Sequence, residues 1–395
     1  MRFALYHPWI YLAGGIERTI GQIVQGSRHE WTIYSHHVSL GSTFPELSGA
    51  NIVALHPSIS IRRSAIPLAK AAAVIASTRL PPTAHDGLLV SSEGFGDLIM
   101  ARNSGLPSVC LCYTPLKILH DPVTRDRLVG GRRLRGAALT AVGAPFAAVD
   151  RRLWRRYRFV LAISEETRAR ISRAGLRPDD QVEVLHPGVD SAKYIPGEAH
   201  RAPVFLVAGR IMWQKNVELA IDAIADLKSR GLNASLIIAG AVDAKSQGYL
   251  SRLRARAADL PVQFEVNPDD RRLADLYGTS TALLFTPPSE DWGIVPLEAM
   301  ASGTPVLAVA ASGPTESVVD GKTGWLLPPD PVKFSDRMAE VIEDGSWLVK
   351  MRAAARTQAG LFTWGSFVAR LDAVMEEVVS SAPSALSAGP VASRG

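Results

Sequence analysis

Glu290 and Glu298 stand eight positions apart in "SEDWGIVPLEAMASGTPVLA" (289–308), one in a loop-like stretch and one inside what reads as a short helix. An ionised carboxylate only accepts hydrogen bonds, so each can take two neighbouring hydroxyls, which is what a ribose or a hexose presents. Gly293 between them lets backbone amides approach a ligand closely. Arg210 and Lys215, five apart in "VAGRIMWQKNVE", flank a loop that ends where a helical pattern begins. Two cations near a helix N-terminus suit a diphosphate. Each residue also has an ordinary reading. Glu298 in a first helical turn favours its own helix dipole by ~0.3–1 kcal/mol, Glu290 is a loop carboxylate beside Asp291, and an R-x4-K pair is common as surface charge.

Such groups need rigid elements to hold them, and short aliphatic runs alternate with helical patterns along the whole chain. The runs "RFALYH", "EWTIYS", "NIVAL", "GLLVSS", "SVCLCY", "FVLAIS" and "VEVLH" come first, then "PVFLVAG", "ASLIIAG", "VQFEV", "ALLFT" and "PVLAVA". Near-continuous hydrophobicity without alternation predicts parallel strands buried on both faces. In "NVELAIDAIADLKSRG", Val217, Ile221, Ile224 and Leu227 recur at helical steps and Gly231 supplies a stop. In the glutamate segment Pro296 is expected as the first helical residue, with Gly303 and Pro305 ending the helix.

The chain's 395 residues favour two domains. The reading is two doubly wound α/β domains, 1–193 and 201–362, joined through the proline-bearing stretch 189–203. A helix at 363–380 presents Trp364, Phe367, Leu371, Val374 and Val378 on one face and is expected to return to the first domain. The tail 381–395 has too few large apolar residues to order itself. In open parallel sheets ligands sit at the strand C-termini, so a crevice shared by the two domains is the expected site.

Composition is that of a globular protein, with 47% hydrophobic and 21% charged residues, which excludes disordered and collagen-like classes. Cys110 and Cys112 are too few for a zinc site and read as reduced core thiols. The apolar start is interrupted by His7 and Pro8, with no small-residue cleavage site after it, and a cytoplasmic location is expected. Charge is uneven: eleven Lys/Arg against three Asp give +8 over residues 117–158, leaving −3 for the rest of a chain whose total is +5. That patch suits an anionic surface, with docking on anionic lipid and a solvated helix face as equal readings. The fourteen weakly apolar residues between its Arg clusters are too few to cross a bilayer of ~30 Å.

These residues resemble the retaining, nucleotide-sugar-dependent glycosyltransferases of the GT-B fold, with two Rossmann-like domains facing a cleft. The resemblance is to the family 4, or glycosyl transferases group 1, type. It runs from Arg2 to about Val379. "EDWGIVPLEAMASGTPV" matches the E-x7-E motif, and "AGGIER", "AISEETRARI", "HPGVD" and "GR" with Lys215 follow in the family's order. The resemblance implies that Glu298 binds the ribose, Glu290 the transferred sugar, and Arg210 with Lys215 the diphosphate. It also implies donor contacts at Gly209, Gly293, Ile294 and Val295, with Gly14 and Gly15 near the donor phosphates and the acceptor. No metal is expected, since such enzymes usually work without one. "GIVPLEAM" and the Thr-Pro segment look most like mannosyltransferases that use GDP-mannose. The base is expected to be read around Phe264 to Asn267.

In "LCYTPLKILHD" the family usually writes His before Thr-Pro, and here Tyr113 stands there. Tyrosine can donate a hydrogen bond but cannot become a cation near neutral pH. His120 is a candidate to compensate, against the commoner structural role of a single His. The expectation is a hexosyltransferase acting on a lipid-linked, polysaccharide or small-molecule acceptor, with Tyr113, Glu290, Arg210 and Lys215 nearest the chemistry. The alternatives are a catalytically weak nucleotide-sugar-binding protein, suggested by Tyr113, and a nucleotide-sugar epimerase of the same fold. Nucleic-acid binding through the Arg clusters lacks a recognised reading motif.

Overall fold

The computed structural model describes residues 1–61, 65–130, 133–197, 202–344 and 348–381. The chain divides into two compact units: unit 1 is Met1–Ala162, Ala169–Glu183 and Val368–Gly395, and unit 2 is Ile163–Arg168 and Val184–Phe367. The stretch 189–203, expected as a linker, lies inside unit 2 as far as 197, and 198–201 fall outside the described residues. The tail beyond 381 also lies outside them.

Unit 1 is built on strands β1 (Arg2–Tyr6), β3 (Glu30–Ser35), β5 (Ile52–Ala54), β6 (Gly87–Ser92), β7 (Ser108–Cys112), β8 (Phe159–Ala162) and β9 (Glu183–Val184), with β2 (Trp9–Ile10) and β4 (His37–Val38) forming a small separate pair. The spatial order is β5-β3-β1-β6-β7-β8-β9. β1 pairs in parallel with β3 and β6 on its two sides, so the order reverses at this strand. Phe3, Ala4, Leu5 and Tyr6 of β1 are all fully buried, as their unbroken apolar run requires of a strand covered on both faces. Cys110 and Cys112 form no disulfide and are buried in β7.

The helix Trp364–Ser380 returns to unit 1. Its Asp372 accepts from Ser27 Oγ at 2.6 Å and from the Arg28 N–H at 3.1 Å, while Glu376 takes the Arg28 guanidinium at 2.7 Å. Leu371, Val374 and Val378 are buried, matching the apolar face read from their spacing.

Unit 2 carries the second parallel sheet, β10 (Val204–Ala208), β11 (Ser235–Gly240), β12 (Val262–Val266), β13 (Ala282–Phe285), β14 (Val306–Val309) and β15 (Gly324–Leu327), in the order β12-β11-β10-β13-β14-β15. The edge strand β15 was not expected. It follows a Gly-Lys-Thr-Gly turn and is only four residues long, yet it registers on β14 from Val306↔Gly324 to Val309↔Leu327. The helix Val217–Ser229 buries Val217, Ile221, Ile224 and Leu227 at 1% exposure or less. Full burial of an aliphatic side chain contributes ~1.5–3 kcal/mol, so this face anchors the helix whose N-terminus follows Lys215.

Candidate active site

In unit 2 the loop after β13 and the loop after β10 meet at a charge pair. Lys215 Nζ lies 2.5 Å from Glu290 Oε2, with both side chains about one-fifth exposed. The same ammonium sits 5.8 Å above the Phe285 ring. The Lys215 carbonyl accepts from Thr286 Oγ1 at 2.7 Å, which ties the two loops again through the backbone. Asn216 then turns into the helix Val217–Ser229 in a left-handed conformation, φ 46°.

Gly293 adopts φ 89° and caps the helix Ile294–Ala301. Few residues other than glycine accept that conformation. An added Cβ would stand 3.3 Å from the Phe285 ring and 3.5 Å from Glu290 Cγ. The cap places the helix start two residues earlier than expected, so Pro296 is the third helical residue and not the first. Proline fits there because the first-turn N–H groups have no acceptor within the helix. The amides of Ile294 and Val295 lie in that first turn, beside the Lys215–Glu290 pair. Gly209 closes the group, a Cβ there being 3.7 Å from Val295 Cγ2. Lys215, Glu290, Gly293, Ile294, Val295 and Gly209 therefore come together at the C-terminal ends of β10 and β13.

Arg210 follows Gly209 and is exposed, with no partner among the described residues. Asn267 ends β12 at φ 54°, its N–H donating to the Gly240 carbonyl at 3.0 Å and its Oδ1 accepting from the Val242 N–H at 3.2 Å.

Glu298 is placed differently from Glu290. It is 4% exposed, and its two oxygens accept from Tyr194 Oη and Tyr277 Oη, each at 2.7 Å. It lies beyond the first helical turn, so the hydroxyls and not the helix terminus are its evident partners. A carboxylate offers about four acceptor directions, and two are taken by these bonds. Sequence reading missed both tyrosines. Tyr194 lies in the stretch taken for a linker, and no spacing signal ties either to Glu298.

Unit 1 holds the other sequence candidates. Gly14 is the N-cap and Gly15 the first residue of the helix Gly15–Gly26. Glu17 folds back over this start, its Oε2 2.8 Å from where a Cβ on Gly14 would be. Burial raises the Glu17 carboxyl above the usual range, opposed by His7 and by the N–H groups of Glu17 and Leu12 and reinforced by Glu93. Glu at the third helical position was the available clue. Tyr113, directly after β7, is 5% exposed. Burial pushes its phenol well up, against hydrogen bonds from Ser91 and Thr19, and the nearby Glu17 adds to the rise. It stays neutral at any physiological pH. His120 ends the short helix Lys117–His120 and its Nε2 is buried without a hydrogen-bond partner among the described residues. Burial, then the charge of Arg151, lowers its pKa.

Of the basic stretch 117–158, residues 131 and 132 and the side chains of 133–135, 138 and 142 lie outside the described residues. Arg127, Arg151, Arg152, Arg155 and Arg158 are exposed, whereas Arg156 donates to the carbonyls of Met100 and Ala101. No helix among the described residues is long and apolar enough to cross a membrane.

Comparison with known proteins bears on this arrangement. Residues 190–359, which contain the Lys215–Glu290 site, match the family model "Glycosyl transferases group 1". A D-inositol 3-phosphate glycosyltransferase of Acidothermus cellulolyticus is 30% identical over 291 residues, covering 68% of this chain, and the chain spans only 62% of that relative's length. An alpha-1,3/1,6-mannosyltransferase ALG2 of Rhizomucor pusillus is 31% identical over 220 residues, 48% of each chain. Among solved structures, Anabaena Alr3699/HepE in complex with UDP and glucose superposes with a TM-score of 0.70 at 19% identity, over 97% of this chain and all of that one. Sucrose-phosphate synthase of Thermosynechococcus elongatus reaches 0.75 at 16% identity, over 97% of this chain and all of that one. These likenesses show the GT-B fold, and it is the segment 190–359 that matches the glycosyl transferases group 1 family.

Proposed function

We propose that the protein is a retaining hexosyltransferase that moves a sugar, with mannose from GDP-mannose favoured over UDP-sugars, to a lipid-linked, polysaccharide or small-molecule acceptor. The observation that carries this reading is the Lys215–Glu290 pair at 2.5 Å beside the N-terminus of the helix Ile294–Ala301. A donor diphosphate fits between Lys215, Arg210 and the first-turn amides, where helix N–H groups and cations favour an anion. Glu290 accepts from hydroxyls of the sugar, and Glu298 from the ribose. Departure of the leaving group builds negative charge on the diphosphate, and preorganised cations act most strongly on that developing charge. This neutralisation comes from Lys215 and Arg210, so the reading needs no metal cofactor. Retention, with attack and departure on one face of the sugar, is what the resemblance to the family implies. The mannosyltransferase among the relatives supports the choice of sugar.

The exposed arginines of 151–158 support a place at the inner face of the cell membrane, on anionic lipid, with the protein otherwise cytoplasmic. A second reading, a nucleotide-sugar-binding protein of weak activity, is supported by the buried, neutral Tyr113. Parallel calorimetric titration with GDP, UDP and ADP tests the donor, followed by transfer and hydrolysis assays with the matching sugar nucleotide. Binding of none of the three removes the proposal, and binding without turnover favours the second reading. Pelleting with anionic vesicles at low salt and release at high salt tests the membrane surface.

A further inference from the structure

The loop bearing Glu290 is fastened from behind by contacts that take no part in the reaction proposed above. The Asp291 carbonyl accepts from Ser164 Oγ at 2.5 Å, and the Glu290 carbonyl from the Gly313 N–H at 3.0 Å. Trp292 is 2% exposed and its indole N–H donates to the Pro187 carbonyl at 3.0 Å. Its ring stacks on His186, centroids 4.3 Å apart and planes 29° from parallel, and Phe362 meets it at 5.1 Å. His186 Nε2 is 2.9 Å from Glu316 Oε2. The Glu316 oxygens also accept from the N–H groups of Glu165 and Glu166 at 2.8 and 3.1 Å. Gly313 is packed so closely that a Cβ would lie 2.3 Å from the Trp292 carbonyl oxygen.

The residues of this bracket come from particular places in the chain. The polypeptide passes from one unit to the other at 162/163, 168/169, 183/184 and 367/368. Ser164, Glu165, Glu166, His186, Pro187 and Phe362 each lie within a few residues of one of those passages; Ser164, His186, Pro187 and Phe362 reach Asp291 or Trp292, and Glu165 and Glu166 hold the Glu316 that pairs with His186. The segment Thr286–Gly293 itself carries no regular secondary structure, so its shape depends on these fastenings.

We infer that His186, Trp292 and Glu316 are positioning residues for Glu290, holding the loop so that its carboxylate stands where the transferred sugar must be gripped. The inference rests on the role given to Glu290 above. Catalytic groups have to be held within about 0.5 Å of the productive geometry, and a misplacement of ~1 Å can cost ~10²-fold in rate. A stacked, hydrogen-bonded indole supplies that constraint. Nucleotide affinity, which on the proposed function depends on Lys215, Arg210, Glu298 and the helix amides, is expected to be much less sensitive to it.

The test compares the full-length protein with His186→Ala, which removes both the stack and the bond to Glu316, and with His186→Phe, which keeps a ring against Trp292. Hydrogen exchange of peptides covering 286–296 is read without substrate, alongside kcat, KM and the Kd for the nucleoside diphosphate. His186→Ala is expected to speed exchange in that segment and lower kcat by ~10-fold or more, with the Kd changed no more than ~3-fold. His186→Phe restores part of both losses. Unchanged exchange in a folded His186→Ala overturns the inference, as does a fall in nucleotide affinity equal to the fall in kcat. Should His186→Ala not fold, Ser164→Ala carries the same expectations and the same refutation. If the wild-type protein turns over no sugar nucleotide, the proposed function fails, and the exchange measurement still decides whether the bracket holds the loop.

Discussion

Lys215 Nζ and Glu290 Oε2 lie 2.5 Å apart although 75 positions separate the residues in the chain. Each neutralises the other while no donor is bound. On the function proposed above, a donor would offer the ammonium a phosphate and the carboxylate a hydroxyl, and so replace this one contact at both of its ends.

Removing either partner therefore has a distinct signature. Lys215→Ala is expected to weaken nucleoside diphosphate binding and to cut turnover by ~10²–10³. Glu290→Gln is expected to cut turnover comparably while leaving diphosphate affinity nearly unchanged, because its partner on the donor is the sugar. Calorimetry with the nucleoside diphosphate and steady-state kinetics on both variants separate the two. Equal losses of affinity in both would contradict the assignment.

Glu298 predicts a stability effect as well as a binding effect. Its oxygens accept from two buried tyrosine hydroxyls, and taking away a buried hydrogen-bond partner costs ~1–3 kcal/mol for each group left behind. Glu298→Ala should lower the melting temperature and abolish nucleotide-sugar binding. Tyr277→Phe removes one of the two bonds and should weaken nucleotide binding only a few-fold while remaining folded. Undiminished nucleotide affinity in folded Glu298→Ala would show that the carboxylate serves the tyrosines alone.

Tyr113 is a phenol, neutral near pH 7 as any tyrosine is, and burial raises it further. Tyr113→Phe is expected to slow turnover while leaving nucleotide affinity unchanged, and neither protein should show a phenol limb in the kcat profile between about pH 5 and 9. A kcat equal to wild type in Tyr113→Phe would remove the hydroxyl from the reaction.

Asp150 predicts how stability varies with pH. It is 1% exposed on the helix Arg133–Trp154, and burial, then the charge of Asp97, pushes its carboxyl up to about 9, with Trp154 and Arg151 opposing. Between the ordinary carboxylate value of ~3.9 and about 9 the folded chain keeps this proton and the unfolded chain releases it. Stability from this group is thus fully present at the acid end and is lost as pH rises through that window, by at most ~1.4 kcal/mol per pH unit. Thermal melts from pH 5 to 8 should show a flatter dependence in Asp150→Asn, with the variant more stable than wild type at pH 8. Parallel curves for the two proteins would refute this.

Much of this protein is local and so could be read from residue order. Buried parallel strands announce themselves as unbroken aliphatic runs, and the helices by their spacing. The E-x7-E context with Arg210 and Lys215 was legible because those residues lie in two short loops at strand ends, within the segment that matches the family model. The helix begins at Ile294, two residues ahead of the expected Pro296, since proline is compatible with any position in a first turn.

What pairs across the sheet was decided by the fold alone. Tyr194 and Tyr277 reach Glu298 from 104 and 21 positions away, Trp292 finds His186, and Asp97 and Asp150 share one buried region. Periodicity reports which face of an element is apolar. It carries no record of which distant polar group the sheet order will bring against another, and burial, which makes such a pairing obligatory, exists only once the chain has closed around it.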